Sequence, residues 1–383
     1  MLSVCILCKS ADAALERAIR SLGSLPDELV VVADQACAAD VQKLAANLSL
    51  PYPVNIITHF WTDDFSAARN VACDAAKGSW IFFLDADQEF KGPDRETFRG
   101  LLQNNQALAY WVQILDRPDE STGPSAISGH WHLNLFRNRD SWRFRGRVHE
   151  ELDPHPQAVA EKEGTGVPKS PIVLWHDGYC RAIHHDKMRR NVRLIEMELR
   201  DHPGQIYYLI ELGRNLVALG EPRGHEVLGD ATGKLRQHRQ AARPPLPLAA
   251  ALLDYLLSAD DLPAHRRMNS DTAMKLAERW FDRVPALVWR RAERYFRQAN
   301  FTAAAAAYQH LLALQSSGAL DETLSFNRHI FGPETRLKLG VCKARLARLD
   351  EAEAIFTALL TDPTAGAAAK QNLQVVEVLR QTG

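Results

Sequence analysis

A nearly unbroken apolar run, Ser79-Trp80-Ile81-Phe82-Phe83-Leu84, ends abruptly in Asp85-Ala86-Asp87. The run has strand length and no polar face. It must therefore be covered on both sides, as in a parallel sheet flanked by helices. Asp85 and Asp87 stand two residues apart, so in an extended chain both side chains point the same way. Ligands of open α/β sheets bind outside the carboxyl ends of the strands. Two carboxylates there can bridge a hard divalent cation that carries a diphosphate. The preceding helix starts near Asp63 or Asp64, either of which can act as N-cap. It buries Ala67, Ala68, Val71, Ala72 and Ala75 and stops at Gly78, a natural residue for a helix end. Arg69 and Asn70 are the polar exceptions on this small-residue helix.

The surrounding sequence alternates strand and helix signals. Strands are expected at 2–7, 28–32 (ended by Asp34) and 54–58, with helices at 11–22 and 40–48 between them. This βαβαβαβ order implies a parallel sheet with right-handed crossovers. A short helix at 94–103 and a strand at 107–115 follow. The loop 117–129, rich in Pro, Gly, Ser and acids, suits a flap over a site. Strands at 132–136, 142–148 and 171–175 complete the first half. Arg143, Arg145 and Arg147 alternate along the second of these and would share one face.

From Arg181 the apolar spacing becomes helical and stays so. Helices are expected at 184–200, 205–219, 247–257, 270–283, 285–298, 302–314, 335–348 and 351–360. Leu212-Gly213 and Leu339-Gly340 recur on first helices of pairs. Ala304 with Tyr308, and Ala352 with Phe356, recur on second helices. These spacings resemble a degenerate tetratricopeptide pattern, and a plain helical bundle explains them equally well. Lys187, Arg189 and Arg190 open this region and read as a solvated charged helix face.

Composition narrows the class. The chain has 383 residues, enough for two domains, and 46 basic side chains against 47 acidic ones, so charge points to neither nucleic acid nor an anionic membrane as partner. No apolar run approaches the ~20 residues of a membrane span. The chain opens directly on a strand, and a cytoplasmic enzyme is the expectation. Cys5-Ile6-Leu7-Cys8 has CxxC spacing but no second pair, and on a strand the two thiols face opposite sides, so buried reduced thiols are expected.

Five ordered blocks resemble a family-2 glycosyltransferase of the GT-A fold that continues into a helical, repeat-like region. They are Phe65-Ser66-Ala67-Ala68-Arg69-Asn70, the 78–87 segment ending in Asp85-Ala86-Asp87, Leu135-Phe136-Arg137-Asn138, Phe144-Arg145-Gly146-Arg147-Val148-His149-Glu150, and His176-Asp177-Gly178-Tyr179. The resemblance implies a GT-A (Rossmann-like), mostly parallel α/β domain over 1–180. A helical, tetratricopeptide-like domain over 181–383 would hold the acceptor, a partner or a second copy of the chain.

It also implies site roles. Asp85-Ala86-Asp87 is similar to the DXD motif, with Asp87 the direct ligand of Mn2+ or Mg2+. Asp85 would contact the sugar or ribose, or reach the metal through water. His176 is similar to the histidine that completes the metal shell. Asp34 falls where such enzymes place an acid near the nucleotide base, although Ala36-Cys37 replaces the usual Gly-Ser after it. Arg69 would pair with the diphosphate, or else bridge to Asp63, Asp64 or Asp74. Asn70 and Arg147 join the donor-binding set. Glu150 is the expected base that takes the acceptor's proton, Glu151 the alternative, and His149 the residue that orients either.

The implied activity is metal-dependent, inverting transfer from a nucleotide sugar, a UDP-sugar being favoured, to a peptide, protein or glycan acceptor. A degenerate, inactive domain on a helical scaffold is the competing expectation, motivated by the departure after Asp34.

Overall fold

The computed structural model describes residues 1–117, 129–176, 181–258, 270–321, 324 and 326–382. The interior of the expected flap and the Asp177-Gly178-Tyr179 part of the last block lie outside the described residues. The chain divides into two compact units, the first reaching Pro203 and the second beginning at Gly204. The division thus falls about a helix later than residue 180, because the helix 181–201 is anchored to the first unit by ion pairs.

The first unit holds strands β1 (Leu2–Cys8), β2 (Glu28–Asp34), β3 (Val54–His59), β4 (Trp80–Phe83), β5 (Gln88–Phe90), β6 (Ala109–Asp116), β7 (Gly129–Arg137), β8 (Arg143–Arg145), β9 (Glu151–Asp153) and β10 (Lys169–His176). Its helices are α1 (Ala13–Ser21), α2 (Ala38–Asn47), α3 (Phe65–Ala75), α4 (Arg95–Gln103), α5 (Pro156–Glu163) and α6 (Arg181–Asp201). Eight strands form one sheet in the order β3-β2-β1-β4-β7-β6-β10-β5, and β8 pairs with β9 separately. Strands β1 to β4, β6 and β10 run one way, while β5 and β7 run against them. The architecture is the expected mostly parallel α/β sheet followed by helices.

Alternation sorts each central strand onto two cores. Leu2, Val4 and Ile6 pack with Trp80, Phe82 and Leu84 on one face. Cys5, Val30, Ile81 and Phe83 pack with Ala68, Ala72, Phe136 and Phe144 on the other. Cys5 and Cys8 indeed fall on opposite faces, and the five described cysteines are buried free thiols.

Asp64 is the N-cap of α3, accepting from the Ala67 amide at 3.0 Å. Gly78 plays a different part from the one expected. The helix already ends at Ala75, and a Cβ on Gly78 would meet the Ser3 amide nitrogen at 2.6 Å. It is there because the chain passes hard against β1 on its way into β4.

The second unit is helical: α7 (Ile206–Ala218), α8 (Arg223–Gln237), α9 (Ala249–Ser258), α10 (Ser270–Trp280), α11 (Pro285–Arg297), α12 (Phe301–Ser317), α13 (Pro333–Arg345), α14 (Leu349–Leu359) and α15 (Gly366–Thr382). Helices α8 and α15 are additional to those expected from the apolar spacing: glycines interrupt the first, and the second is weakly patterned. Helices pack as sequential pairs, α7 on α8, α11 on α12 and α13 on α14. The recurrent motifs make these contacts. A Cβ on Gly340 of α13 would lie 2.5 Å from the Phe356 ring of α14, and one on Gly213 of α7 would lie 2.5 Å from Leu228 of α8. Among the described residues, no helix is long and apolar enough to cross a membrane.

Candidate active site

The carboxyl ends of the parallel strands gather the acidic side chains on one edge, as strand polarity requires. Asp85 and Asp87 follow β4, Asp116 ends β6 and His176 ends β10, where it stands in register with Asp116. His176 Nδ1 lies 2.9 Å from Asp116 Oδ1, and its Nε2 lies 3.5 Å from Asp87 Oδ2. The Lys187 ammonium of α6 donates to the same Asp87 oxygen at 2.5 Å. An imidazole oriented by one acid and facing another is a recurrent metal-binding arrangement. Its nitrogen–oxygen pair suits manganese better than magnesium. The lysine shows that this oxygen already accepts a cation. Among the described residues no three His, Cys, Asp or Glu side chains converge as a ligand group.

The electrostatics follow the same contacts. Burial works against the charge on Asp87, yet His176 and Lys187 prevail and hold its carboxyl far below the ordinary carboxylate range. Hydrogen bonds to Asp116 and then to Asp87 raise His176 to about 9, against the opposing effect of burial.

A second centre lies on α3. Arg69 donates from Nε to Glu150 at 2.5 Å and from Nη2 to Asp85 at 3.3 Å. Its guanidinium stands over the Phe83 ring, 4.7 Å from the centroid. Both Arg69 and Glu150 are about nine-tenths buried. Burial alone would favour a neutral guanidine, but the pull of Glu150 and Asp85 raises its pKa above the usual value. Arg69 therefore joins Glu150, the expected base, to Asp85 at the end of β4. Its partners are not Asp63, Asp64 or Asp74, and its fork is already engaged.

The remaining expected residues separate. Asn70 uses both ends of its amide on the Phe144 backbone, at 3.0 and 2.8 Å, and so fastens α3 to β8. Arg147 does not share the face of Arg143 and Arg145, because β8 ends at Arg145 and Gly146 takes a φ of 97°. It turns to α6 and pairs with Asp201 at 2.9 Å. Glu151 lies exposed on β9, in register with Arg145. His149 precedes Glu150 in a left-handed conformation, φ 55°, which turns the chain between β8 and β9. Asp34 accepts from the Ala36 amide at 2.9 Å and, with Gln35, Ala36, Phe60 and Trp61, lines an open cleft of about 490 Å³.

Further residues stand at this edge beyond the expected set. Asp116 carried the same signal as Asp34 and Asp85, an acid closing an apolar strand. His59 ends β3 opposite Asp34, and its buried Nε2 finds no partner among the described residues. Lys187 and Arg190 have the pattern of a solvated helix face, since a helix's partner surface is invisible in its own sequence.

Residues 3–153 match the family model described as glycosyl transferase family 2. A TPR repeat-containing protein of Synechococcus elongatus is 30% identical over 262 residues, covering 66% of this chain and 60% of its own length. The SPbeta prophage-derived glycosyltransferase SunS of Bacillus subtilis is 26% identical over 214 residues, 52% of this chain and 46% of that protein. The chain thus spans about half to three-fifths of the length of these curated relatives. Among solved structures, the Pyrobaculum calidifontis mannosyltransferase PcManGT, in complex with GDP-Man and Mn2+, has 18% identity and a TM-score of 0.38, over 73% of this chain and 87% of that one.

Proposed function

We propose that this chain, whose first unit carries a glycosyl transferase family 2 domain, moves a sugar from a nucleotide-sugar donor to a peptide, protein or glycan acceptor. The observation that carries this reading is the convergence at one sheet edge. Asp87 and His176 face each other there, while Arg69 ties Asp85 to Glu150.

The cleft beside Asp34 suits the nucleoside. Phe60 and Trp61 offer aromatic faces, and Asp34 offers a polar one. A UDP-sugar remains the favoured donor. Asp87 and His176 would hold Mn2+ or Mg2+, with Asp116 fixing the imidazole. Such an ion neutralises charge on the departing diphosphate.

Asp85, more exposed than Glu150 and held by Arg69 and Gln88, is positioned to receive donor hydroxyls. Glu150 acts as the base. Arg69 occupies its Oε1, which leaves Oε2 to take the acceptor's proton as the acceptor oxygen, nitrogen or sulfur attacks the anomeric carbon. Attack from the face opposite the diphosphate inverts the anomeric centre.

The test is a panel of sugar nucleotides incubated with the full chain, with and without Mn2+, followed by nucleoside diphosphate release. Release from one donor that rises with Mn2+ and falls in Asp87→Asn is the expected outcome. A chain that neither hydrolyses nor is thermally stabilised by any donor would refute the reading.

A further inference from the structure

Helix α6 brings two cations to this acidic edge, three residues apart and so on one helix face. Lys187 has an acid partner, Asp87. Arg190 has none within ion-pair distance among the described residues. Its guanidinium stands over the Phe65 ring at 4.8 Å, and its Nε and Nη2 share one acceptor, Asn191 Oδ1, at 3.3 and 2.9 Å. The neutral Asn191 oxygen and the aromatic face hold the fork in place without cancelling its charge. Burial pulls the Arg190 pKa down, and the acids that oppose this, Glu150, Asp87 and Asp85, act from a distance. A half-buried guanidinium without a counter-ion is costly unless a ligand supplies the anion.

The other charges at this edge narrow the ligand. Asp85, Asp87 and Glu150 would repel a phosphate, and Arg69 is already bonded to two of them. Arg193, further along α6, is taken by Asp63. Of these four cations, Lys187 and Arg190 are left to turn toward an incoming anion. Resting on the glycosyltransferase reading above, we infer that Lys187 and Arg190 form the diphosphate-binding pair of this site. Arg190 is the fixed planar clamp, and Lys187 is an ammonium that exchanges the Asp87 oxygen for a phosphate oxygen when the donor arrives. Arginine's fork matches two phosphate oxygens at once, whereas lysine acts as a movable point charge.

Calorimetric titration of the full chain with UDP, GDP, uridine and guanosine tests this. Wild type should bind one diphosphate more tightly than its nucleoside. Arg190→Gln and Lys187→Met should each weaken that diphosphate about 10- to 100-fold and leave the nucleoside unchanged. Unchanged nucleoside binding also reports an intact fold. If Arg190→Gln does not fold, Arg190→Lys and Asn191→Ala carry the test, with intermediate losses expected. Diphosphate affinities within about twofold of wild type in the folded variants overturn the pair while sparing the donor reading. A wild-type chain that binds none of the four overturns both.

Discussion

Replacing Arg69 with methionine probes the centre of the site most directly. Methionine keeps much of the buried volume but removes the charge between Glu150 and Asp85. Glu150 is only 10% exposed, so it would be left as an uncompensated buried carboxylate. Breaking a buried pair from one side typically costs about 3–5 kcal/mol. Loss of the contact with the Phe83 ring adds roughly 0.5–2 kcal/mol. Asp85 is 46% exposed, so its share is small. A total of about 4–6 kcal/mol should lower the melting temperature of a unit this size by roughly 8–24 °C. Urea unfolding followed by tryptophan fluorescence is the assay, because six of the eight tryptophans, all but Trp280 and Trp289, lie in the first unit. Glu150→Gln made in the Arg69→Met background should recover about 2–3 kcal/mol, since it removes the orphaned charge. A single-variant cost under about 1 kcal/mol, or a double variant no more stable than Arg69→Met, would refute the buried-pair reasoning.

Glu150→Gln by itself should slow sugar transfer by about 10²- to 10⁴-fold while donor binding persists; full activity in a timed transfer assay would remove Glu150 as base. The raised pKa of His176 makes stability depend on pH. Its contribution is fully present below its ordinary value near ~6.5 and is lost as pH rises through about 9. In chelator-treated protein, His176→Gln should therefore cost on the order of 2–3 kcal/mol more at pH 6 than at pH 10, measured by urea unfolding at both. In the helical unit, Gly340→Ala should destabilise by about 1–3 kcal/mol, because the new methyl meets the Phe356 ring. Gly233→Ala, with nothing within 4 Å of its added Cβ, should be neutral or stabilising by up to about 1 kcal/mol in the same melt.

The local pattern of the chain determined a good deal by itself. The unbroken apolar run of 79–84 demanded a strand covered on both faces, and β4 has Phe82 in one core and Phe83 in the other. Strand polarity then put Asp34, Asp85 and Asp87 at the carboxyl edge of the sheet, because a carboxyl-end position follows from chain direction alone. The helical second half was legible for the same reason, since a period of 3.6 residues is a local property.

Pairing between distant segments was decided only by tertiary structure. Arg69 carries no sign in its neighbourhood that its partner is Glu150, 81 residues on. Nor does the pattern of α6 show that Lys187 turns to Asp87, 100 residues back, rather than to water. A lone charged side chain on a helix looks the same whether it is solvated or seated on an acid. Its partner depends on which surface the helix covers, and that follows from packing the whole sheet. The same holds for Arg147, whose alternation with Arg145 was broken by a single left-handed glycine. Periodicity thus selected the edge of the sheet, and long-range packing selected which charges meet there.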